Sequence, residues 1–244
     1  MGEDLPVNVR LFAPDPIDFL DPTPYSIFEY QGHMIIGAIW LTAALTAFLA
    51  AKGSPLHIKA GKLCIISTLL VALSAAVMLA VEMVPPLALN AVTASYAVIT
   101  GWLALKPASA KVRRFELGLT GVEILAVLAF MAVALPNVVK GGVPIIGPGT
   151  VLLVPLFLLG GDLNFHFRRK ERARLRIRRH LARMSWAFVI VLRAPLVEFE
   201  TAGFYDLPDP LMVVGPVILG FALVAYFQSR YRNKKPANAQ AAAA

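Results

Sequence analysis

The residues of this 244-residue chain best able to do chemistry are its four histidines and a few charges set inside apolar runs. A b-type haem held between helices needs two imidazoles at matching depth, imidazole being a common axial ligand. His33 opens the first apolar run and His57 lies past its far end. A helix spanning that run separates the two by roughly 27 Å, so they cannot share an iron. His57 and His180 both stand where basic sequence gives way to apolar sequence, so one haem b on that pair is geometrically allowed. His166 lies in a charged loop and is the weakest candidate. With one histidine on the opposite half, two stacked bis-histidine haems are excluded. His33 and Glu29, at i and i+4, offer two metal ligands, but zinc lacks a visible third. The same histidines suit a plainer role, hydrogen bonding to loop carbonyls or lipid phosphate.

Charge inside a membrane is costly and marks a functional site by default. Glu123 lies about two turns into the fourth apolar run, and Arg193 sits within the sixth with Glu198 five residues on. Arg193 can pair with Glu123, Glu198 or Glu82. Such a pair either locks two helices together or serves a proton path or an anionic substrate. Asn90, Thr93, Ser95, Ser67 and Ser74 fit interhelical hydrogen bonding. Cys64, the single cysteine, reads as a small buried hydrophobe and leaves no disulfide framework. No Gly-rich nucleotide loop or H-E-x-x-H motif is present.

The composition says what must position these groups. At 58% apolar, 16% charged and a mean hydropathy of +0.69, the chain is too apolar for a soluble domain, about a quarter of which is charged. A span needs roughly 20 apolar residues. Seven stretches qualify: 33–51, 62–84, 87–105, 117–137, 143–161, 183–199 and 209–227. The fifth is the least secure, with Pro144, Pro148 and Pro155 in it, and the sixth is short and carries Arg193. If seven spans alternate, 20 of the 23 Lys and Arg residues fall on one side, and eleven acids fall on the other or at its edge. The positive-inside rule then gives an all-α polytopic bundle with its N-terminus outside and its C-terminus in the cytoplasm.

The stretch "RRKERARLRIRRHLARMSW", residues 168–186, carries nine of the basic residues. It reads first as a topogenic cytoplasmic loop. Arg168, Arg169, Lys170, Arg178 and Arg179 also form a lipid-facing set for anionic headgroups. Nucleic acid is a poor partner, since no aromatic residues interleave the basic ones. Residues 1–32, rich in Pro and acid, lack a basic n-region and read as a periplasmic arm rather than a cleavable signal, with Phe12, Phe19, Phe28 and Tyr30 as docking points. Residues 33–229 form the transmembrane domain, and 230–244 a low-complexity tail expected to be disordered.

Two segments, "HMIIGAIWLTAALTAFLAAKGSPLHIKAGKLCIISTLLVALSAAVML" and "RIRRHLARMSWAFVI", resemble patterns in the DUF2306-type bacterial multi-pass predicted membrane proteins. The matching positions are His33, Gly37, Gly53, His57, Gly61, Lys62, Ser74, His180 and Arg183, and the segments cover about a third of the chain. The resemblance implies a helical bundle in the bacterial inner membrane and supplies no activity.

Three functions remain open. One is a membrane redox protein holding one haem b on His57 and His180 near the cytoplasmic face. Another is a non-enzymatic accessory subunit of a larger membrane complex, docking through the outer arm and the basic loop. A third is a small-molecule transporter built around Arg193, Glu123 and Glu82. The absence of an internal repeat and the odd span count weigh against the last.

Overall fold

Serine caps set several of the helix starts. Ser26, Ser54 and Ser109 each stand in extended conformation and accept the backbone N–H three residues on, at 3.2 Å in every case. A computed structural model describes residues 17, 20–167, 172–201 and 209–231. They form seven α-helices: α1 Ile27–Leu49, α2 Pro55–Val81, α3 Pro85–Leu103, α4 Ala110–Val139, α5 Ile146–Phe167, α6 Arg172–Thr201 and α7 Asp209–Tyr231. Among the described residues there is no strand. Five helices, α1 through α5, are long and apolar enough to cross a membrane.

Six of the seven helices outrun the apolar stretches that announced them, mostly at the end rich in Lys and Arg, here called the basic end. α2 begins at Pro55 rather than at 62, α4 at Ala110 rather than 117, and α6 at Arg172 rather than 183. Hydropathy marks only the hydrocarbon portion of a helix, whereas the hydrogen-bonded ladder continues into the interface until a cap ends it. At the opposite end α1 starts at Ile27, so residues 27–32 of the expected arm are helical. Tyr30 is buried there as a helical residue, while Phe28 is 86% exposed among the described residues. Phe12 and Phe19 lie outside the described residues. The proline-bearing fifth stretch is helical from Ile146 with Pro155 inside it, as neighbouring helices in a bundle allow.

α3 and α6 form the centre. α3 packs against α2, α4, α5 and α6, and α6 also carries α7. Their shared core joins Tyr96, Ala97 and Val98 of α3 to Val154 and Leu158 of α5, Trp186 and Ile190 of α6, and Val217 of α7. Small residues permit the closest approaches, as is usual between membrane helices. A Cβ on Gly220 of α7 would lie 2.7 Å from Trp186 Cε3, and one on Gly101 of α3 would lie 2.9 Å from Arg183 Cβ. α2 contrasts with α3: Leu56, Leu63, Ile66, Leu70 and Leu73 are exposed along it, a surface suited to lipid.

Candidate functional site

Four helices send polar side chains into one buried cluster in the half of the bundle nearer the basic end. On α6, Arg179 and Arg183 lie one turn apart on the same face, a spacing of about 6 Å. On α4, Glu116, Thr120 and Glu123 follow the i, i+4, i+7 spacing of a single helical face. α3 contributes Thr93 and Tyr96, and α5 contributes Asp162. Glu116, Glu123, Asp162 and Arg183 are all buried to 97% or more, and Arg179 nearly so.

Asp162 is the hub. Its Oδ1 accepts from Arg179 through Nη2 at 2.7 Å and Nε at 3.2 Å, and also from Arg183 Nη2. Its Oδ2 accepts the Tyr96 hydroxyl. Arg179 turns its remaining nitrogen, Nη1, to Glu116 Oε1 at 2.7 Å. Its guanidinium lies over the Phe165 ring, 4.1 Å from the centroid, and that of Arg183 lies over Tyr96 at 4.6 Å. Arg183 Nη2 donates as well to the Leu158 carbonyl at 2.9 Å. Thr120 gives its one hydroxyl hydrogen to the Glu116 carbonyl at 2.9 Å. Two guanidiniums face two carboxylates, so the quartet Glu116, Arg179, Asp162 and Arg183 is electroneutral.

Glu123 stands outside that balance. Thr93 donates to its Oε1 at 2.7 Å. Among the described residues its Oε2 has no hydrogen-bond partner, and neither does Nη1 of Arg183. Arg183 and Asp162 are the charged groups that act on it electrostatically.

The histidines occupy a different sector. His57, at the start of α2, places Nδ1 2.9 Å from the Ala47 carbonyl of α1, and His180 of α6 places Nδ1 3.1 Å from the Gly101 carbonyl of α3. A carbonyl only accepts, so each Nδ1 carries the hydrogen and each Nε2 keeps its lone pair in the neutral ring. His57 and Lys52 both act electrostatically on His180. Lys52 donates to the Ala47 and Phe48 carbonyls at 3.0 and 2.6 Å, and burial pushes its ammonium below the ordinary lysine value.

The chain matches no known protein family, characterised protein or solved structure.

The remaining expected residues fall apart into separate settings. Glu29 and His33 are not turned to a common metal. Glu29 closes a capping box, its Oε2 accepting from the backbone N–H and hydroxyl of Ser26 at 2.9 and 2.8 Å, while His33 meets Ser74 Oγ of α2 at 2.8 Å. Among the described residues no group of three or more His, Cys, Asp or Glu side chains could hold a metal. Glu82 is the C-cap of α2, at the membrane edge rather than inside, and faces Tyr25. Arg193 is half-buried and pairs with neither Glu123 nor Glu82 among the described residues, and the side chain of Glu198 lies outside them.

Arg179 corrects the lipid-facing reading of the basic stretch. The helix reaches back to Arg172, so residues expected in a loop acquire faces, and the face bearing Arg179 points into the bundle at Glu116 and Asp162. Arg178, on the next face, bonds Gln228 of α7 instead. Arg168, Arg169 and Lys170 lie outside the described residues.

Tyr96, Glu116 and Asp162 were not foreseen as site residues. The charge partition held the signal. The expected alternation assigns eleven of the fifteen acids to the side opposite the basic residues or to its edge, and the four it does not are Glu116, Glu123, Asp162 and Glu171. Three of those four are in the cluster.

Proposed function

We propose that this is a multi-pass redox protein of the bacterial inner membrane, with seven spans, N-terminus outside and C-terminus in the cytoplasm, that holds one haem b between His57 and His180 near the cytoplasmic face. One observation carries the reading. Two histidines from different helices, at the same end of the bundle, each tether Nδ1–H to a main-chain carbonyl. That second-sphere bond fixes the ring and leaves Nε2 as the basic nitrogen, which is how iron-ligating imidazoles are held. Two such nitrogens are the donors that a bis-imidazole haem takes, and the electrostatic action of His57 on His180 is in keeping with a shared site. The open groove of about 610 Å³ between α1 and α2, lined by residues such as Ile35, Thr42, Leu56 and Lys59, includes neither histidine in its lining, so it is not the haem site.

When bound, such a haem supplies one-electron transfer, its potential set by the axial pair and the burial around it. The chain's own residues do the rest. The Ala47 and Gly101 carbonyls orient the imidazoles, and Lys52 supplies the neighbouring positive charge. Gly101 also lets α6 approach α3 closely enough for its carbonyl to reach His180.

The test is an optical spectrum of detergent-purified protein, expressed with haem available, before and after dithionite. A Soret peak and a reduced alpha band, both lost in His57→Ala and His180→Ala, are expected. A featureless spectrum from folded protein refutes the reading.

A further inference from the structure

Asp162 and Glu123 are two buried carboxyl groups within reach of the same arginine, in opposite circumstances. Asp162 receives Arg179 through two nitrogens, Arg183 through one, and the hydroxyl of Tyr96. A carboxylate with its lone pairs so filled is stable as an anion even away from water. Glu123 receives a single bond, from Thr93, though an ionised carboxylate offers about four acceptor sites. Among the described residues the two arginines are already balanced by Glu116 and Asp162, so an ionised Glu123 would add a negative charge that no described cation there is left to match. Paired carboxyls whose surroundings differ in this way divide the roles of anion and acid.

The two polar atoms left over are complementary. Oε2 of Glu123 and Nη1 of Arg183 belong to buried side chains, exposed by 0% and 3%, and neither has a hydrogen-bond partner among the described residues. One can accept and the other can donate, and Arg183 acts electrostatically on Glu123.

We propose that Glu123 is a proton-binding site of this protein, a carboxylic acid at rest that surrenders its proton to water and then pairs through Oε2 with Nη1 of Arg183. In that step the O–H bond of Glu123 breaks, its electron pair stays on the carboxylate, and water takes the proton as hydronium. Arg183 keeps its charge and its Nη2 bonds to Asp162 and Leu158. The groups bearing on the site are Thr93 and Tyr96 from α3, Asp162 from α5, Arg183 from α6, and Glu116 two turns along α4. The Arg179 and Glu116 pair continues the polar column toward the basic end and offers the departing proton a route lined by charge rather than hydrocarbon.

Infrared spectroscopy of the protein in lipid bilayers tests this without reference to any haem. At neutral pH the wild type is expected to show a carboxylic-acid C=O stretching band that moves on exchange into D2O. Glu123→Gln should remove it, and Glu82→Gln, at the membrane edge, should leave it in place. Thr93→Val keeps the acid but takes away its hydrogen-bond donor, and so should shift the band to higher frequency. That variant decides the matter if Glu123→Gln does not fold. No such band in the wild type, its survival in folded Glu123→Gln, or an unmoved band in Thr93→Val would overturn the proposal.

Discussion

Replacing Asp162 with Asn tests whether the buried quartet holds the bundle together. Among the described residues Asp162 is the only carboxylate bonded to Arg183, and it shares Arg179 with Glu116. The amide keeps the shape of the side chain, yet as long as Glu123 holds its proton it leaves Arg183 without a counter-ion among the described residues and the cluster one positive charge in excess. Breaking one side of a buried pair costs about 3–5 kcal/mol, because the surviving charge stays desolvated. Glu116→Gln is milder: Arg179 keeps both of its bonds to Asp162 and loses one charge-assisted hydrogen bond, worth about 1.5–3 kcal/mol. The double variant Glu116→Leu with Arg179→Leu removes a cation and an anion together and leaves Arg183 balanced by Asp162. It should cost less than the sum of its two single variants, the coupling expected when two residues form one pair. Reversible unfolding in mixed micelles, followed by circular dichroism, gives each value. Asp162→Asn within about 0.5 kcal/mol of wild type, the range of ordinary surface changes, would refute the argument, as would a double variant that costs the full sum.

Glu123→Gln should fall within about 0.5 kcal/mol of wild type in the same assay, because an amide replaces a neutral acid; a loss of about 3–5 kcal/mol would show a buried carboxylate instead. Gly220→Ala would press a methyl group against the Trp186 ring, with Cε3 2.7 Å and Cη2 2.8 Å from the new carbon. The expected cost is about 1–3 kcal/mol, with a shift in tryptophan emission; unchanged stability would mean that α7 moves aside freely. Burial first, and Glu82 second, raise the Tyr25 phenol above its usual value. Glu82→Gln should therefore lower its titration midpoint but leave the part due to burial, as read by ultraviolet absorbance in alkaline solution; a rise would reverse the assigned sign. For topology, single cysteines at Lys111 and Arg176 in a Cys64→Ala background should react with an impermeant maleimide only in inside-out vesicles, and cysteines at Thr23 and Lys140 only in right-side-out cells. Labelling of all four from one side would discard the alternating arrangement.

The helices were legible because each contains an apolar run, and in five of them, α1 through α5, the run is long enough to cross a membrane. Their ends were less so. Apolar windows cannot see the last turns of α5 or the first turns of α2, α4 and α6, where serine caps and interfacial residues carry the ladder on. That His57 and His180 stand at the same end of the bundle was legible from chain position, since both lie at the same kind of boundary. The charge cluster was not, because it depends on which face of α6 each arginine occupies, and a stretch treated as loop has no faces. Arg193 drew attention by lying alone in an apolar run. The groups the bundle brings together are instead arginines hidden within a dense basic stretch and acids at the margins of other runs. Of the charges set inside apolar runs, Glu123 is the one found in the cluster, and its partner there is Thr93, read from sequence as an interhelical hydrogen bonder, rather than Arg193.

The chain order of the quartet bears on how the protein is made. Each arginine placed at the centre of a membrane helix costs about 2.5–3.5 kcal/mol to insert, and α6 is not among the helices apolar enough to cross without help. Its two buried arginines nevertheless find anions on α4 and α5, both of which leave the ribosome first. When α6 reaches the bilayer, Glu116 and Asp162 are already there to receive it. Synthesis from the N-terminus thus delivers the acceptors before the donors, and the least apolar of the central helices enters a membrane that already holds its counter-ions. A circular permutant that begins at α6 would reverse that sequence, and its insertion would have to wait for α4 and α5 to follow.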